Sequence, residues 1–125
     1  MTDENGAGEV DGILAALADP TRRRLLDVLS AQGEASATTL AERLPVSRQA
    51  VVKHLAVLDA AGLVSGQRAG REVRYTVRPA ALNATARWMA ALANDWDRRL
   101  ARIKRLAEAA ERESDAESEA EAESS

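Results

Sequence analysis

Residues 46–64 read VSRQAVVKHLAVLDAAGLV, and the rest of the chain is organised around them. Ser47 suits a helix N-cap, its hydroxyl placed to accept from an amide two or three residues on. Val51, Leu55 and Leu58 recur at spacings of four and three, which makes one apolar helical stripe. Gly62 then supplies a C′ residue able to take the left-handed conformation that ends a helix. The spacing predicts a helix over 47–61. Its opposite face carries Arg48, Gln49, Val52 and Lys53. Arg can pair bidentately with guanine and Gln with adenine, and Val can meet a thymine methyl. Exposed Arg, Gln and Lys also decorate ordinary surface helices, so the flanking segments decide between the two readings.

Upstream, Ser36 can cap a helix over ATTLAERL with Leu40, Ala41 and Leu44 inward, and Pro45 and Val46 form a tight connection to Ser47. Two short helices joined by such a turn, the second bearing a polar face, form a helix-turn-helix. Downstream, LVSGQR and EVRYTV lean to β structure, with Val73, Tyr75 and Val77 alternating at period two. Ala69-Gly70-Arg71-Glu72 joins them as a hairpin. A hairpin over 64–77 directly after a recognition helix is a wing. Arg68, Arg71 and Arg74 on it would lie beside DNA backbone or minor groove.

Further upstream, Asp19-Pro20 reads as an N-cap followed by Pro at N1. The helix PTRRRLLDVLSA turns Leu25, Leu26, Val28 and Leu29 inward and ends near Gly33, while Arg22, Arg23 and Arg24 either touch phosphate or stay solvated. Ile13, Leu14 and Leu17 mark a short first helix. From about Ala81 no Gly or Pro interrupts the chain, and Leu82, Ala86, Met89, Ala93, Trp96, Leu100, Ile103 and Ala107 alternate spacings of four and three. Such a 3.5-residue seam is the pattern that packs a helix against a partner helix, and self-association is expected over the alternative of a helix folded back on its own domain. Trp88 and Leu92 flank it and are expected against the protomer's own core. The fold class is mainly α with a small β-hairpin wing, in the order four helices, two strands, one helix.

At 125 residues the chain has room for one modest core, and with no Phe and 2% aromatic residues that core is built from Leu, Val, Ile and Ala. No run of about 18 apolar residues and no charged-then-apolar leader is present, so neither a membrane span nor a signal peptide is expected. The absence of Cys excludes disulfides, thiol switches and thiolate metal sites. A cytoplasmic location is the default. Net charge is −3, but it is unevenly distributed. Residues 20–106 hold 16 bases against seven acids, a net +9, while residues 107–125 hold eight acids and one Arg. A basic middle with acidic ends fits a nucleic-acid partner despite a pI near 5.2. The domain plan is a disordered 1–11, a folded 12–106, and a tail over 107–125 that lacks large apolar residues and is expected to be disordered.

Together, LADPTRRRLLDVL (17–29), the 46–64 helix and the GREVRYTV wing (70–77) resemble the ArsR-type winged helix-turn-helix transcriptional regulators. The resemblance covers about residues 12–106. It implies homodimers built on the first and last helices, which here brings in Ile13, Leu14 and Leu17 beside Leu82, Met89, Trp96, Leu100 and Ile103. It implies repressors that bind inverted-repeat operators in double-stranded DNA and often control their own gene and its neighbours. Base reading falls to the start of the recognition helix, here Ser47, Arg48, Gln49, Val52 and Lys53, with Val52 where Ser is common. The metal ligands of the family's founding members do not carry over. The Cys-pair region reads Glu34-Ala35-Ser36-Ala37, and the last helix offers Asp95 and Asp97 without His. His54, the sole His, is read as a structural or DNA-proximal residue. No metal, cofactor or catalytic site is expected, and a small-molecule effector is left open. The alternative, a protein-binding adaptor on the same scaffold, is disfavoured by the +9 middle and the polar reading face.

Overall fold

In the computed structural model, which describes residues 2–124, the elements run α1 (Thr2–Leu17), α2 (Pro20–Gln32), β1 (Ala35–Ser36), α3 (Ala37–Arg43), α4 (Arg48–Ala60), β2 (Val64–Ala69), β3 (Glu72–Val77) and α5 (Pro79–Ser124). The helix starts follow local chemistry. The Asp19 carboxylate accepts from the Thr21 and Arg22 amides at 2.7 and 3.2 Å, with Pro20 in the first turn. Ser36 accepts from the Thr39 amide at 3.2 Å, and Ser47 from the Ala50 amide at 3.1 Å.

The exit of α4 is a full Schellman closure. Leu63 N–H donates to the Leu58 carbonyl and Gly62 N–H to the Asp59 carbonyl, both at 2.9 Å. Gly62 sits at φ 78°, where a side chain is strained. The closure drops Leu63 into the core beside Leu58, both fully buried. The Leu63 carbonyl then accepts from the Arg78 amide at 2.8 Å, which ties the base of the wing to the end of α4.

The core of the first compact unit, up to Trp88, is aliphatic as composition requires. Ile13, Leu25, Leu29, Leu40, Val51, Leu55, Leu58, Leu63 and Val64 are fully buried. The expected hairpin forms with Ala69 opposite Glu72 across the turn. It carries a third strand that the sequence reading takes as loop and helix cap. β1 pairs antiparallel with β3, Ala35 opposite Tyr75 and Ser36 opposite Arg74, giving the order β1-β3-β2. A two-residue strand has no periodicity to read, and its partner lies some forty residues away.

The second unit, from Met89 on, is the remainder of α5. Both ends of the chain are more helical than the sequence reading expects. Helix α1 begins at Thr2 where a disordered segment to residue 11 is expected, and α5 continues through 107–124 where a disordered tail is expected. The composition of 107–124 explains its helicity, since Ala, Glu and Arg are strong helix formers and neither Gly nor Pro interrupts them. None of its residues is buried.

Candidate nucleic-acid interface

The buried stripe of α4 (Val51, Leu55, Leu58) roots it in the core, and so its other face is presented outward. Ser47, Arg48, Gln49, Val52 and Lys53 are all exposed. The expected reading residues therefore share one accessible surface at the start of the helix. Arg48 Nε donates to the Thr38 hydroxyl at 3.1 Å, linking the two helices of the helix-turn-helix. Arg48 and Val52 look across a cleft of about 380 Å³, walled by Thr38 on α3 and by Arg71, Val73 and Tyr75 on the wing.

The wing arginines, equivalent in the sequence reading, are divided by the pleat. Opposed residues of an antiparallel pair share a face, and successive ones alternate. Arg71, at the tip, lines the cleft with Val73 and Tyr75. Arg68 stands opposite Val73 in the ladder but lines the neighbouring hollow with Glu34, Gln67, Arg74 and Thr76. Arg74 stands opposite Gln67 on the other face, where it pairs with Glu34 at 3.1 Å and Glu72 at 3.9 Å. Two carboxylates offset its charge, so Arg74 fastens β3 to the segment entering β1 while Arg71 lies beside the reading face. Gly66 gives the Tyr75 face its room. A Cβ there would come within 3.0 Å of both the Tyr75 ring and the Val73 methyl.

His54 separates from the reading set. It follows Val52 by about 200° around the helix, is half-buried, and its charge bears on Asp19 at the start of α2. Arg22 and Arg23, candidates for phosphate contact, close the end of α1. Arg22 donates from Nε to the Ala16 carbonyl at 2.6 Å and from Nη2 to the Ala15 carbonyl at 3.2 Å, and Arg23 donates to the Leu17 carbonyl at 2.6 Å. Cations at helix carbonyl ends are favourable for the same reason that anions suit helix starts. Arg24 is exposed.

The Asp19 carboxyl is held below its ordinary value of 3.8, first by the Arg22 amide and further by the Thr21 amide and the charges of Arg22 and His54, against some desolvation. A depressed folded-state pKa contributes stability above the unfolded value, and that contribution is lost as pH falls through the folded one. Thermal melts at about pH 6 and about pH 3 should therefore show a smaller acid-induced drop in Asp19→Asn than in the native protein. Equal drops would place the acid sensitivity elsewhere.

Among the residues expected at a dimer face, Ile13 is fully buried in the protomer's own core, Leu17 is partly buried and Leu14 exposed. On α5, Leu82, Met89, Trp96, Leu100 and Ile103 are exposed. So are Trp88 and Leu92, where the sequence reading has them against the core. Helix α5 buries only Ala81 and Thr85. Arg99 lies over the Trp96 ring at 5.5 Å, and Arg98 pairs with Asp95. Among the described residues, no three acidic or His side chains cluster as metal ligands would, and no helix is long and apolar enough to cross a membrane.

Comparison with known proteins agrees with this architecture. Residues 17–67 match the helix-turn-helix domain family. The chain is 31% identical over 88 residues to the transcriptional repressor SdpR of Bacillus subtilis, covering 70% of this chain and 97% of that protein. It is 45% identical over 83 residues to the transcriptional regulator Rv2034 of Mycobacterium tuberculosis, covering 66% and 70%. Among solved structures, an ArsR-like transcriptional regulator from Rhodococcus sp. RHA1 superposes with a TM-score of 0.73 at 48% identity, covering 80% of this chain and 93% of that one. With its recognition helix, wing and aliphatic core arranged as described, the chain belongs to the ArsR family of winged helix-turn-helix DNA-binding transcriptional regulators, a family of regulators rather than enzymes.

Proposed function

We propose that the protein is a homodimeric, cytoplasmic repressor that reads an inverted-repeat operator and controls its own gene and the genes beside it. The observation that carries this reading is the single cationic surface formed by the α4 start and the wing tip. On it, Arg48 and Val52 share a cleft with Arg71, and Gln49 and Lys53 stand exposed on the same helix start. Ser47 caps the helix that presents them. In this reading Arg48 and Gln49 contact base edges and Val52 offers an apolar surface for a thymine methyl. Lys53, Arg68 and Arg71 meet phosphate, which positions the protein without selecting sequence. Arg74, paired with Glu34 and Glu72, braces the scaffold.

The dimer in this reading is supported by α5. Met89, Trp96, Leu100 and Ile103 recur along it at the seam spacing, and each is more than half exposed in the single chain. A second copy covers such a row, and a two-fold pair sets its recognition helices about 34–36 Å apart, one turn of DNA.

Footprinting on the DNA upstream of the protein's own gene tests the reading and yields the half-site. Arg48→Ala and Gln49→Ala should each cost roughly 1–3 kcal/mol in operator binding and relax preference at one position. Arg71→Ala should weaken operator and random DNA alike and flatten the salt dependence by about one unit. Equal effects of Arg48→Ala on operator and random DNA would contradict base reading by that residue.

A further inference from the structure

Helix α3 adds one hydroxyl to the reading surface that the helix does not use for itself. Its cap is Ser36, which accepts from the Thr39 amide and donates to the Thr39 hydroxyl at 3.1 Å. Thr38 beside them is exposed, and its Oγ1 accepts the Nε–H of Arg48, ten residues on and across the turn. No carboxylate among the described residues lies within ion-pair distance of Arg48. The Thr38 contact is thus what orients the guanidinium.

We propose that Thr38 is a positioning residue for sequence readout: it holds the Arg48 guanidinium in the orientation that meets a base. The proposal rests on the reading that Arg48 contacts a base edge, and it adds how that contact is aimed. A guanidinium is a planar fork with five N–H donors. With the Nε–H engaged by Thr38, the two terminal nitrogens remain, and they form the end-on pair that matches O6 and N7 of guanine. Arg carries large rotamer entropy. A side chain already oriented before DNA arrives loses less of it on binding, and the gain applies only where the correct base accepts both bonds. Thr38 therefore acts on specificity through Arg48 and makes no base contact of its own.

Thr38→Val preserves shape and removes the acceptor. Binding is measured to the footprinted operator, to operators changed at single positions, and to random DNA. Operator affinity should fall roughly three- to tenfold, the size one ordinary net hydrogen bond implies. Preference should relax at the position Arg48→Ala relaxes. Random-DNA affinity and the thermal midpoint should hold, Thr38→Ser should restore the preference, and Thr38→Val should change nothing further in an Arg48→Ala background. Equal weakening on operator and random DNA, additive with Arg48→Ala, would mean that Thr38 touches phosphate itself and would overturn the proposal. If Arg48→Ala relaxes one position and Thr38→Val does not, positioning fails while base reading stands. If Arg48→Ala relaxes none, base reading by Arg48 fails and positioning falls with it.

Discussion

In the proposed dimer, Leu100→Glu should convert the protein to a monomer and lower operator affinity by about two to four decades, the factor that joining two half-site contacts in one molecule supplies. Leu100 is 58% exposed in the single chain and lies on the seam with Trp96 and Ile103. In a dimer built on that seam a Glu carboxylate would be buried without a partner, and the cost of an unpaired buried charge is large against any single apolar contact. Trp96→Asp should act in the same way. Arg102→Glu changes charge about 200° around the same helix from Leu100 and should leave the dimer intact. Sedimentation of the three variants at one concentration checks the first half of the prediction, and operator titration the second. A Leu100→Glu protein that sediments as a dimer and keeps its operator affinity would place self-association on another surface. Because Ile13 belongs to the protomer's own core, a charge placed there should instead unfold the chain. The first helix therefore offers Leu14, and not Ile13, as a surface for a partner.

The second large effect is on stability. Leu55→Ala should destabilise the fold by about 2–5 kcal/mol, because the removed methyls leave a cavity that rigid neighbours fill only in part. Leu55 is fully buried in the middle of α4, in one cluster with Leu25, Leu29, Leu40, Leu58 and Leu63. For a domain of this size such a loss lowers the thermal midpoint by at least about 10 °C. Val52→Ala, three residues earlier on the exposed face, should change stability by no more than about 0.5 kcal/mol while removing the apolar contact proposed for DNA. The comparison must be made at one protein concentration, since association shifts the midpoint. Similar midpoints for the two variants would show that α4 is not anchored by its Leu stripe.

The contrast between those two residues also separates what sequence alone determined from what needed the tertiary structure. Asp19, Ser36, Ser47 and Gly62 each act on amides or carbonyls within a few residues of themselves. Helix boundaries, the α4 stripe and the hairpin register depend on spacing along the chain, so they were legible, and with them the winged helix-turn-helix and the exposed face of α4. The seam on α5 is legible for the same reason. Residues 107–124 lack the large apolar side chains that would bury them, which is why the sequence predicts disorder, whereas α5 runs on to Ser124; alanine and glutamate favour the helix without any core to pack against.

What the sequence could not decide were the partners of long, charged side chains. Arg22, Arg23, Arg68, Arg71 and Arg74 are the same residue type on the same kinds of segment. Their surroundings diverge because the fold brings α1 carbonyls to the first two, the α4 cleft to Arg71, and Glu34, forty positions away, to Arg74 in a hollow that Arg68 also lines. His54 likewise sits in the recognition helix by sequence and beside Asp19 by rotation about the helix axis. An arginine reaches several ångströms in any direction, and the local chain does not restrict which acceptor it finds. Only the packing of α1, α3 and the β1-β3-β2 sheet around α4 sets that choice, and it leaves Arg48 and Arg71 on one open cleft.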